Sequence, residues 1–232
     1  MPLILGTNSI KDTGYDVANS LRFNDGSSDY LNRTPSSAGN RKTWTFSCWI
    51  KRGALSTNQH ILQTYPSGLG YARVNFTSAN NLQVDGNDAS SGNGFDLKTT
   101  QVFRDVSAWY HIVVAMDTTQ GTASNRLKIY INGTQETSFA TETYPAQNID
   151  YMVNDDEEHN IGRHNSAGLY FDGYLAEVAL VDGQQLDATS FGEFNSDSPT
   201  IWQPKNVSGL TFGTNGFHLD FENASSLGAD VS

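Results

Sequence analysis

At 232 residues, with 37% apolar side chains, 12 Phe, 10 Tyr and 21 Gly, the chain can bury one large core, and it is composed like turn-rich aromatic strands and not like Ala/Leu/Glu/Lys helices. Fourteen Lys and Arg against 25 Asp and Glu give a formal net charge of −11, which repels phosphate backbones and anionic bilayers and argues against nucleic acid as a partner. No stretch approaches the roughly 20 apolar residues of a membrane span, so membrane insertion is not expected, and the single cysteine, Cys48, rules out a disulfide framework.

Residues 1–18 open with Leu3, Ile4 and Leu5 and continue in small and polar residues, the composition of an arm. They lack the basic start and full apolar stretch of an export signal, so the chain is not expected to be exported as written. Residues 20–23 and 30–31 read as two short strand pieces about the oxygen-rich turn at 24–29. In residues 43–51, Trp44, Phe46, Cys48 and Ile50 share one face, with Cys48 as a small buried hydrophobe, and Trp49 falls on the other as an exposed or second-layer aromatic. Short strands come next at 60–64, 71–77 and 81–84, spaced by Gly, Pro, Asn and Ser, and a Gly/Asn loop at 90–96 leads into 98–103.

Residues 110–116 are apolar on both faces, as in an inner strand of a packed sheet. Residues 127–131 alternate Leu127, Ile129 and Ile131 with Lys128 and Tyr130, a strand with one wet face, and Asn132-Gly133 supplies the pair that a tight hairpin turn requires. Residues 144–158 are irregular, and the acidic run at 155–158 reads as a solvated loop. An apolar segment at 169–181 is broken by Asp172-Gly173. The one short helix is expected near 187–194, capped by Asp187 or Thr189, and the last strand is at 216–221. Val231-Ser232 reads as the start of another element, so a longer polypeptide is expected. These elements predict an all-β sandwich with one short helix, divided into an arm at 1–18 and a domain at 19–232.

Three motifs carry a resemblance. Trp109-Tyr110-His111-Ile112-Val113-Val114, then Leu127-Lys128-Ile129-Tyr130-Ile131-Asn132-Gly133, then Phe171-Asp172-Gly173-Tyr174-Leu175-Ala176-Glu177-Val178 resemble the successive core motifs of laminin-G-like, concanavalin-A-like jelly rolls. Leu21-Arg22-Phe23-Asn24-Asp25-Gly26 with Asp29-Tyr30-Leu31 resembles their first strand pair; together these cover residues 20–185, and the resemblance implies an all-β, two-sheet antiparallel jelly-roll sandwich. The arm, residues 40–47 and residues 210–230 resemble structural proteins of marine bacteriophages, in which such jelly rolls are appended to tail fibres or capsids. That likeness implies a non-enzymatic module at the virion surface (fibre, spike or capsid decoration) serving assembly and host-surface adhesion. Its partners would be other virion proteins or itself, as a homotrimer, through the arm. A lectin domain recognising a host surface glycan is the alternative, and a glycan-cleaving enzyme is the third reading.

The chemistry of the residues bears on these alternatives. Glucanases of this fold carry Glu-x-Asp-x-x-Glu on one strand, which sets two catalytic carboxyls about one bond. No such string occurs, and no catalytic residue is assigned. Of the five histidines only His159 and His164 approach a ligand spacing, and they lack a third partner. A single structural calcium ion is the expected cofactor, since related jelly rolls carry one, with Asp25, Ser28 and Asp172 converging if the first and late strands pair; ordinary Asp-Gly turn chemistry is the competing reading. Glycan binding needs aromatics on loops or on an open face, for which Tyr65, Tyr71, Tyr144 and Tyr151 are the candidates, with Trp49 also available.

Overall fold

A computed structural model describes residues 15–66, 68–165 and 168–232. Two seven-stranded antiparallel sheets face each other. The first runs in the order Leu21–Phe23, Gly173–Asp182, Thr43–Arg52, Tyr110–Asp117, Leu127–Ile131, Thr134–Gln135, and Phe217–Leu219 also pairs with Gly173–Asp182. The second runs Phe139–Thr143, Asn93–Val102, Asn81–Asp88, Gly70–Phe76, Gln59–Thr64, His159–Ile161, Leu31–Arg33. The core lies where their inner faces meet. Phe46, Ile50, Ile112, Val114 and Ile129 come from the first sheet and Leu62, Val74, Phe76, Val84 and Leu97 from the second, all essentially inaccessible. This is the sandwich that the strand pattern predicts and the jelly roll that the three core motifs imply.

Residues 111–116 are buried on both faces because the first sheet has a cover. Val113, Ala179 and Val181 point away from the main core and pack under Ala188, Phe191, Val207 and Phe212, with Trp202 against them. The covering segment includes a small hairpin of Gly192–Phe194 with Trp202–Pro204. The expected helix shrinks to one 3-10 turn, Ala188–Ser190, on which the Asp187 carboxylate accepts the Thr189 amide at 2.9 Å. Three such turns occur, and there is no α-helix, among the described residues. Residues 192–194 leave the helical path because they pair as a strand with 202–204.

The turn after Leu127–Ile131 is as expected: Asn132 and Gly133 hold φ of 47° and 81°, and Ile131 pairs with Thr134 across them. The opening strand pieces differ from the expectation. Leu21–Phe23 pairs with Gly173–Leu175 in the first sheet, whereas Leu31–Arg33 pairs with His159–Ile161 in the second. The turn between them therefore crosses from one sheet to the other.

The acidic run also departs from a simple solvated loop. Asp156 is exposed, but Asp155 is buried against Arg41 at 3.2 Å. Glu158 accepts from Asn32, Asn160 and Arg163. Most of the arm, residues 1–14, lies outside the described residues. Its end packs on the first sheet: Tyr15 donates to Glu177 at 3.4 Å, and Val17 and Ala18 line a cavity of about 330 Å³ with Trp49 and Trp109.

Candidate functional site

Antiparallel register sets one polar residue from each strand side by side on the outer face of the second sheet. Asn32 pairs with Asn160, Asn160 with Gln63, Gln63 with Arg73, Arg73 with Asp85, Asp85 with Asp96 and Asp96 with Thr143. The row crosses all seven strands. Each member alternates with a core residue of its own strand, such as Leu62, Val74, Val84 and Leu97, which is why it must face outward. A second row on the same face, His60, Asn75, Gln83, Lys98 and Thr141, runs beside it.

Aromatic rings stand at the flank of these rows. Tyr65, 41% exposed, has its ring centroid 6.0 Å from that of Tyr71 and 5.6 Å from that of His164. His164 meets His60 edge-on at 4.8 Å. At the other side, Arg163 lies over the Tyr30 ring at 3.6 Å, and Tyr30 tilts against Tyr170 at 6.5 Å.

The rows are tightly bonded in some places and unmatched in others. Arg73 forks onto Asp85, Nε to Oδ1 and Nη2 to Oδ2, both at 2.7 Å, and the Tyr71 hydroxyl donates to Oδ2 at 3.2 Å. Burial raises the Asp85 carboxyl above its usual range and outweighs the lowering by Arg73. Burial alone would lower Arg73, but the bonds and charge of Asp85 outweigh it and raise the guanidinium. Gln63, by contrast, is fully buried with both amide atoms unpartnered among the described residues, and Asn75 Oδ1 and His60 Nδ1 are also unpartnered. Each such group costs about 1–3 kcal/mol unless something outside the chain meets it.

The four tyrosines expected at a glycan site separate. Tyr65 and Tyr71 come together on this face. Tyr144 lies elsewhere, half-buried, donating to Glu142 at 2.9 Å beside a cavity of about 280 Å³. Tyr151 is fully buried, its ring edge-on to Phe95 at 4.7 Å and its hydroxyl accepting the Ala146 amide at 3.1 Å. It has no surface to offer a ligand, because residues 151–153 are drawn into the core. Trp49 is nearly buried and stacks on His111 at 4.8 Å, the second-layer position.

The calcium set does not fit an ion. Leu21–Phe23 does pair with Gly173–Leu175, the condition for convergence. The Asp172 carboxylate, however, is taken by the Arg22 guanidinium, a cation where a second cation would have to sit. The Ser28 amide bonds to the Asp25 carbonyl, and Asn24 and Asp29 bond within the same turn, the ordinary turn chemistry that competed with the ion. Among the described residues no three His, Cys, Asp or Glu side chains gather as a metal site. His159 and His164 part as well: His159 is buried, its Nε2 accepting the Asn154 amide at 3.0 Å, while His164 lies with Tyr65.

Sequence reasoning missed Gln63, Arg73, Asn75, Asp85 and Asn160. The local signal was the outward polar series Tyr71, Arg73, Asn75 and Gln83, Asp85, Asn87, alternating with apolar residues. That these series line up across strands is a property of register alone.

A family model described as the concanavalin A-like lectin/glucanases superfamily matches residues 25–189. No curated protein matches the chain. Mouse laminin alpha1 chain, domains LG4-5, superposes with a TM-score of 0.50 at 14% identity, over 75% of this chain and 44% of that one, so this chain spans less than half of that structure. A native heptameric SAP-like pentraxin from Limulus polyphemus matches with a TM-score of 0.47 at 13% identity, over 85% of this chain and 100% of its own. The Ruminococcus gnavus IT-sialidase CBM40 matches with a TM-score of 0.46 at 12% identity, over 68% of this chain and 95% of its own. The likeness to the laminin domains is one of fold.

Proposed function

The chain belongs to the concanavalin A-like lectin/glucanases superfamily, and from that membership we propose that it is a non-enzymatic carbohydrate-binding module whose ligand lies along the outer face of the second sheet. The observation that carries the reading is the polar row from Asn32 to Thr143 with the exposed Tyr65 ring beside Tyr71 at its flank. Sugars present hydroxyls on their edges and C–H groups on their faces. Amides bond the former, and tyrosine rings pack on the latter. Hydrolysis would need two free carboxyls about one bond. Asp85 and Asp96 are neighbours in the row, but both oxygens of Asp85 are engaged by Arg73 and Tyr71.

Titration of the purified protein against a glycan library tests the reading. Binding is expected, and Tyr65→Ala is expected to weaken it about tenfold or more with an unchanged melting point. Full affinity in Tyr65→Ala, or no binding by the wild type, counts against it.

A second reading sets this module on a virion surface, where glycan binding would serve adhesion to a host. It rests on the resemblance to phage structural proteins read in the sequence of the arm, residues 40–47 and residues 210–230, and its partners would be other virion proteins or copies of itself joined through residues 1–18. Light scattering on the full chain and on a chain lacking the arm is the check: a trimer that becomes a monomer on removing the arm supports it, and a monomer in both counts against assembly through the arm.

A further inference from the structure

Taking the carbohydrate-binding reading as its basis, we infer that the ligand of this face is an uncharged glycan, and that sialylated, uronic or sulfated chains are discriminated against. Recognition of a carboxylate or sulfate requires a guanidinium or ammonium with donors to spare. Both arginines here are committed. Arg73 gives its fork to Asp85, and its guanidinium lies 4.9 Å over the Tyr71 ring. Arg163 gives Nη2 to Glu158 at 3.0 Å and Nε to the Asn160 side-chain carbonyl at 2.8 Å, and its guanidinium covers Tyr30. The third cation, Lys98, projects on the same face two residues from Asp96. Arg73 and Arg163 are thus paired with Asp85 and Glu158, and Lys98 is offset in formal charge by Asp96. An anionic ligand would break an ion pair to reach either arginine, and it would approach a chain of net charge −11.

The test uses the full chain and a series of neutral oligosaccharides, each paired with the same oligosaccharide carrying one sialic acid, titrated at low and at high salt. The expected result is binding of a neutral member at an affinity that salt leaves unchanged, with its sialylated counterpart about tenfold weaker or worse. Asp85→Asn releases the Arg73 fork, and this variant is expected to narrow or reverse the preference. Preference of the wild type for the sialylated member, weakening as salt rises, overturns the inference while leaving the carbohydrate-binding reading in place. No binding to either kind at any salt defeats both. If Asp85→Asn does not fold, the wild-type pairs and their salt series still decide.

Discussion

The indole N–H of Trp202 donates to His111 Nδ1 at 3.0 Å, tying the covering hairpin to the middle of the first sheet across 91 positions of sequence. An acceptor at Nδ1 fixes the proton on Nε2, which donates to Ser47 Oγ at 2.9 Å. Trp202 also fills the space that glycines leave: a Cβ at Gly133 would strike its ring, and one at Gly192 would come within 2.5 Å of it. Trp202→Phe leaves His111 Nδ1 buried and unpaired, at a cost of about 1–3 kcal/mol. Urea unfolding reads this directly, and a variant as stable as the wild type would mean that the bond contributes nothing.

Three histidines are held neutral by the fold, and that sets an acid limit. Burial pushes His111 down to about 3, His159 down to about 4 and His60, with help from His164 and Arg73, down to about 3. The unfolded chain binds protons at these sites from about pH 6.5 downward, while the folded chain does not. Stability is therefore unaffected by these groups above about pH 6.5, falls as the pH drops below it, and stops falling once the folded values are passed. For His159 alone the full loss is roughly 3 kcal/mol. The urea midpoint should decline steadily between about pH 6.5 and 4, and His159→Gln should flatten that decline. A midpoint that does not move over this range would mean that these imidazoles reach solvent.

Much of this was readable locally, and what was not has one cause. The wet and dry faces of 127–131, the Asn132-Gly133 turn and the inner strand at 110–116 are period-2 patterns that neighbouring residues declare. The candidate site is a lateral feature. Nothing near Gln63 in sequence says that Arg73 and Asn160 flank it, since that depends on the pairing of three strands. Glu177 shows the same limit. Period-2 alternation would set it on the core face with Leu175, yet a bulge between Ala176 and Ala179 gives it φ of +48° and turns it to His218 Nε2 at 2.8 Å.

Asp172 is held by Arg22, not poised for an ion, and the consequence can be measured. Asp172→Ala should lower stability modestly, by about 1 kcal/mol or less for a pair this open to water. The loss should be the same in calcium and in chelator. A melting point of the wild type that drops with chelator, and a variant that no longer responds to it, would return calcium to Asp25, Ser28 and Asp172.

Ile129 and Lys128 are adjacent in the chain and face opposite ways. Ile129 is fully buried in the main core, and Lys128 is half-buried on the other face. Ile129→Ala should cost roughly 2–5 kcal/mol, whereas Lys128→Ala should stay within about 0.5 kcal/mol of the wild type. Equal effects would mean that the faces of this strand are assigned the wrong way round.

Tyr65 and Tyr151 carry the same side chain, and the structure separates what each can do. Tyr151 is sealed between the sheets, with Phe95 at its ring and the Ala146 amide at its hydroxyl, so removing it opens a cavity and orphans a donor. Tyr151→Ala should cost about 3–5 kcal/mol, and the fraction that still folds should keep full affinity for a glycan. Tyr65→Ala should do the reverse, because an exposed ring holds little of the core together and much of a stacking surface. Melting curves and glycan titration on the two variants give a crossed pattern if the ligand face is the outer row. Loss of affinity in Tyr151→Ala with stability intact would move the site away from that row and into the segment after Tyr144.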